Sequence, residues 1–194
     1  MRVLVNICGP AEGEIILRWL KERGYEAVGY FFNPNLHPYE EYRKVSLMTK
    51  MIATLHDHTV IFEKFYDNIE QYFKKAGSKN NDTPAMCSAC YQLRLEETAR
   101  MAKKNTFDAF TSTLLTSQYR HHDEIQRLGM LISKKHKIKF LYEDLRKYRK
   151  EIKSVISHLN LYEQPYCGCV FSEKDYHKVK SGDAAMKKSE RLYH

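Results

Sequence analysis

No apolar run in the sequence is long enough to cross a bilayer, and there is neither an internal repeat nor a low-complexity segment. The opening Met1-Arg2-Val3-Leu4-Val5-Asn6 is too short in its apolar part to act as a signal peptide. These absences exclude a membrane-spanning helix and predict a cytoplasmic protein with no membrane partner. A glycine-rich phosphate loop is missing as well. After the first predicted strand the chain reads Cys8-Gly9-Pro10-Ala11-Glu12-Gly13, with no serine and with an acid where a phosphate would sit.

What is present is thiol. Met86-Cys87-Ser88-Ala89-Cys90-Tyr91 puts two sulfurs three residues apart where a helix is expected to begin, so both can face one centre. Tyr166-Cys167-Gly168-Cys169-Val170 supplies a second pair, with Gly168 allowing a tight fold between them. Cys8 ends the first strand, where α/β proteins place their chemistry. In a reducing compartment an odd count of five, clustered as CxxC and CxC, points to ligands or redox groups rather than disulfides. Such soft donors suit an iron-sulfur cluster or zinc. The net charge of +8 fits an anionic macromolecular partner, although a bland basic surface would give the same number.

The 194 residues suffice for one well-buried domain. Strand-like segments at 2–7, 26–32, 59–62, 107–115 and 138–142 alternate with helical patterns, the longest over 39–55, from Cys87 to about 104, and 123–136. Alternation of this kind predicts a three-layer parallel α/β domain over residues 1–172, followed by a charged tail at 173–194. The Asn33-Pro34-Asn35-Leu36-His37-Pro38 loop and the Thr116 to Asp123 run both follow strands and should meet Cys8 at one edge of the sheet. Asn33, Asn35, Ser117 and Tyr119 are therefore candidate substrate contacts. His37 is the first candidate proton donor, ahead of His121, His122 and Asp123.

Four blocks in order, Phe31 to Tyr42, Cys87 to Leu95, Ser112 to Ser117 and Tyr166 to Ser172, resemble the cobalamin-independent epoxyqueuosine reductases. The resemblance implies a Rossmann-like domain of the nucleotide α-hydrolase (HUP) kind with a cysteine-bearing cap, a [4Fe-4S] cluster and a second, mononuclear iron. It further implies a tRNA substrate bearing epoxyqueuosine at the wobble position, with electrons from an external donor. Family members read His-x-Cys-Cys-x-Pro-Cys after the first strand, whereas this chain has Asn6-Ile7-Cys8-Gly9-Pro10-Ala11-Glu12. Cys8 carries over, and Glu12 is the carboxylate substitute for a lost thiol that this resemblance suggests. The expected metal ligands are thus Cys8, Cys87, Cys90, Cys167 and Cys169, with Glu12 beside them.

Reducing an epoxide to an alkene takes two electrons and two protons. A cluster passes electrons singly, and an iron with an open position would serve as a Lewis acid. Tyr91 and Tyr166 are expected to pack over the centre and exclude water. Basic residues interleaved with tyrosine, as in Lys147-Tyr148-Arg149-Lys150, are candidates for an RNA-binding surface. The rivals are an ATP-dependent tRNA thiolase-like enzyme and a zinc-containing RNA-binding module using Cys87, Cys90, Cys167 and Cys169.

Overall fold

Strand β1 (Arg2–Asn6) is buried along nearly its whole length, because Val3, Leu4 and Val5 offer apolar side chains to both faces. It lies in the middle of a five-stranded sheet with β2 (Glu26–Phe31), β3 (Val60–Phe62), β4 (Ala109–Ser112) and β5 (Lys139–Phe140). The order is β3-β2-β1-β4-β5, and every pairing is parallel. This computed structural model describes residues 1–64, 68–79, 83–118 and 121–180.

Seven α-helices are described: α1 (Pro10–Lys21), α2 (Tyr39–Leu55), α3 (Ile69–Ala76), α4 (Thr83–Lys104), α5 (His122–His136), α6 (Arg149–His158) and α7 (Val170–Lys180). Helix α1 packs against α2 and α6, while α4 packs against α3 and α5, giving the expected three layers. The order of the sheet reverses between β2 and β4 around β1. In such sheets a crevice opens beyond the carboxyl ends of the two strands that diverge, here β1 and β4. Cys8 leaves the end of β1, and its backbone N–H donates to Thr113 Oγ1 just past β4, at 2.9 Å.

Three sequence expectations shift. Helix α4 begins at Thr83, so Cys87 and Cys90 sit in its second turn and not in a loop or first turn. Pro84 reads as a breaker in the sequence but is tolerated in a first turn, whose N–H groups lack intrahelical partners. The strand expected over 107–115 is shorter, since Thr113–Thr116 forms a 3₁₀ turn started by Ser112, whose Oγ accepts from Leu114 N–H at 3.1 Å. The tail boundary expected after 172 falls inside α7, which carries the chain on to Lys180.

Candidate metal centre

A group of buried polar residues collects at the carboxyl edge of the sheet. Asn6, at the end of β1, donates from Nδ2 to the Phe32 carbonyl (3.1 Å), and its Oδ1 accepts from Ser112 Oγ (3.2 Å). Asn33 donates from Nδ2 to the Ile7 carbonyl (2.7 Å). The two amide oxygens then converge on one side chain, Arg94 of α4, which donates to Asn6 Oδ1 (3.1 Å), Asn33 Oδ1 (2.7 Å) and the Cys8 sulfur (2.6 Å). Arg94 is only 1% exposed. Helical spacing explains its aim: Cys87, Cys90, Tyr91 and Arg94 lie at i, i+3, i+4 and i+7, one stripe of α4 turned to the crevice.

The late cysteine pair is held against the segment that follows β2. Gly168 has φ +92°, a left-handed backbone that costs other residues, and a side chain there would strike Leu36. Its carbonyl accepts from His37 N–H at 2.7 Å, and Tyr166 hydroxyl donates to the His37 carbonyl at 2.8 Å. Tyr162 hydroxyl adds a bond to buried Glu41 of α2 at 2.8 Å. Three long-range bonds therefore clasp the loop to the segment after β2. Cys169 caps α7: its carbonyl accepts from Glu173 N–H (2.9 Å), its sulfur from Ser172 N–H (3.4 Å), and its own N–H donates back to Ser172 Oγ (3.2 Å).

Two adjoining cavities result. The larger, about 210 Å³, is walled by Cys8, Glu12, Cys87, Ser117, His121 and Cys167, among others. A narrower one, about 20 Å³, is lined by Cys87, Cys90, Cys167 and Cys169 with Asn35, Tyr72 and Arg94. Cys87 and Cys167 belong to both, so all five sulfurs border one continuous region, and none is in a disulfide. Among the described residues, no group of three or more His, Cys, Asp or Glu side chains stands close enough to hold a single metal ion. The fit to a metal therefore rests on the donor set itself, five soft thiols facing shared space.

The remaining candidates fall as follows. Glu12 folds back over Gly9, where a side chain would collide with its carboxylate, so an acid of α1 itself lies across the start of that helix. Asn35 is buried on the narrow cavity, with an Oδ1 that meets no donor among the described residues. Ser117 lines the larger cavity, and Tyr119 lies outside the described residues. His37 is on neither cavity wall; its ring packs edge-on against Phe73 at 5.2 Å, and burial lowers its pKa although Glu173 pulls the other way. His122 turns to Tyr142 hydroxyl at 3.0 Å. Tyr91 borders both cavities and Tyr166 the larger, each mostly buried.

Two site residues carry no sequence signal of their own. Arg94 reads as an ordinary helix cation unless its register with the cysteines is counted. Tyr72 of α3, 2% exposed, reads as core, yet its hydroxyl bonds to Cys169 and lies near Cys90 and Cys167. Burial foremost, then those sulfurs, raise its pKa, so it stays a protonated donor.

Comparison with known proteins gives the family of the chain. The sequence model of the family described as epoxyqueuosine reductase QueH matches residues 3–175. Epoxyqueuosine reductase QueH of Dehalococcoides mccartyi is 32% identical over 80% of this chain and 84% of its own length, and that of Thermotoga maritima is 31% identical over 88% and 89%. The Helicobacter pylori protein of the same name is 30% identical over 89% of this chain, which spans about half (49%) of that longer relative. Among solved structures, a predicted subunit of tRNA methyltransferase from Methanocaldococcus jannaschii superposes with a TM-score of 0.52 at 16% identity, covering 81% of this chain and 76% of that one, a likeness of fold alone. With the match running from β1 into α7 and taking in all five thiols, the chain belongs to the epoxyqueuosine reductase QueH family.

Proposed function

We propose that this protein removes the epoxide oxygen of epoxyqueuosine in tRNA, in the cytoplasm, by a two-electron reduction. The observation that carries the reading is the gathering of five thiols from three distant segments around two joined cavities at the carboxyl edge of the sheet. The balance is simple: two electrons from an external donor and two protons convert the epoxide to an alkene, and its oxygen leaves as water.

Cys8, Cys87, Cys90, Cys167 and Cys169 are the residues that would hold a [4Fe-4S] cluster and a second iron, with Glu12 as a carboxylate beside them. When bound, these groups would supply single electrons and a Lewis acid for the oxygen. The protein's own residues have separate tasks. At about 210 Å³ the larger cavity is smaller than the roughly 300–1,000 Å³ of whole-ligand pockets, so it suits the reacting end of a splayed nucleoside better than a complete nucleotide. His121 and Ser117 stand on its wall with Cys8, which supports His121 over His37 as the proton donor in this reading. His37 serves through its backbone, as half of the clasp on the late loop. Tyr91 and Tyr166 keep water from the sulfurs.

The ATP-dependent alternative is disfavoured because Glu12 lies over Gly9, at the helix start where a phosphate would bind. The test is anaerobic incubation of iron-loaded protein with a strong reductant and epoxyqueuosine-containing tRNA. Loss of one oxygen from the nucleoside, read by mass, is expected; an unchanged mass with intact, iron-loaded protein would overturn the reading.

A further inference from the structure

Arg94 is a buried cation without an ordinary counter-ion. Its three bonds go to two neutral amide oxygens and one sulfur, its Nε meets no acceptor, and no carboxylate of the described residues pairs with it. A guanidinium 1% exposed is costly to bury unless negative charge lies near it. The charge closest at hand is that of the sulfur-lined space on which Arg94 itself borders together with Cys87, Cys90, Cys167 and Cys169. The amides of Asn6 and Asn33 cannot neutralise Arg94, but they fix where it points. Asn6 is anchored to Phe32 and Ser112, and Asn33 to Ile7, so the arginine is braced from the ends of two strands.

We propose that Arg94 is a positioning residue whose charge is the built-in counter-charge of the thiolate-ligated metal centre, holding Cys8 in place and raising the centre's reduction potential. The inference rests on the iron-sulfur reading above. Its physical basis is that adding an electron to a centre makes it more negative, and a fixed cation that water cannot screen favours the reduced form. Net charge and hydrogen bonds to the sulfurs are the main levers on such potentials. Arg94 supplies both at one position.

The experiment compares the anaerobically purified, iron-loaded wild type with Arg94→Gln and Arg94→Lys. For each, iron per chain is counted, the fold is checked by circular dichroism, and the midpoint potential is read by spectroelectrochemical titration. Arg94→Gln keeps a donor without the charge and should shift the potential to more negative values; Arg94→Lys keeps the charge and should stay nearer to wild type. An Arg94→Gln protein with native fold, full iron and an unchanged potential would overturn the proposal. If Arg94→Gln loses its iron, Arg94→Lys decides. Retention of iron by the lysine variant supports a role for charge, and loss of iron from both folded variants would overturn it. A wild type without iron would instead sink the iron-sulfur reading, so the two failures are distinguishable.

Discussion

Of the charged side chains that are almost completely buried among the described residues, Glu14 and Arg94 are treated differently. Glu14 of α1, 3% exposed, is answered fully: His58 Nε2 lies 2.6 Å from one carboxylate oxygen, and His56 and Arg18 each lie 3.5 Å from the other. Arg94, at 1%, is held by amides and a sulfur. The first arrangement closes on itself and needs nothing from outside. The second is closed on the strand side and open on the sulfur side, as expected of a charge whose partner arrives with a cofactor.

That contrast can be broken most severely at the brace. Replacing Asn33 by Leu removes an acceptor from Arg94 and a donor from the Ile7 carbonyl, leaving buried polar groups unmet. A loss of about 3 kcal/mol is expected in urea denaturation, with less iron bound per chain. The Glu14 side answers to pH. Burial alone would raise its carboxyl, but the bond and charge of His58, with His56 and Arg18, hold it below the ordinary 4.5. A carboxylate depressed on folding contributes stability above its unfolded value, and the contribution fades as pH falls through the lower folded value. His58→Ala should therefore cost roughly 2 kcal/mol near neutrality, less than a fully severed pair because His56 and Arg18 remain, and its thermal melts should approach those of wild type below pH 4.5. No loss of bound iron is expected from it.

The late loop gives a smaller and more local effect. Gly168→Ala places a side chain at φ +92° and against Leu36, at a cost of about 1–2 kcal/mol, and should displace Cys167 and Cys169. Iron content should fall further than stability does. Smallest is Tyr72→Phe, which deletes one hydroxyl against Cys169 and should cost about 1 kcal/mol. Iron should be retained, with the midpoint potential slightly more negative.

The strands were legible in the sequence because a buried parallel strand is a short apolar run between breakers, as Val3-Leu4-Val5 between Arg2 and Gly9 illustrates. The thiols were legible because cysteine pairs carry little structural ambiguity. What stayed hidden is the polar frame around them. Arg94 lies within the CxxC block that carries the family resemblance, but a helical arginine ordinarily means a solvated surface, and only its seven-residue offset from Cys87 betrays the shared stripe. Tyr72 is hidden for the opposite reason, since an aromatic at helical spacing ordinarily means core. The placement of His37 was also beyond sequence reasoning: the loop faces the crevice as expected, but its histidine turns to Phe73, and its backbone joins the late cysteine loop.

The central claim is that the five sulfurs hold redox-active iron in common. Its most direct test is the count of iron and acid-labile sulfide per chain in protein purified without oxygen. More than four irons with about four sulfides per chain is the expected result for one [4Fe-4S] cluster beside a further iron. Colourless protein carrying a single zinc and no sulfide would contradict it.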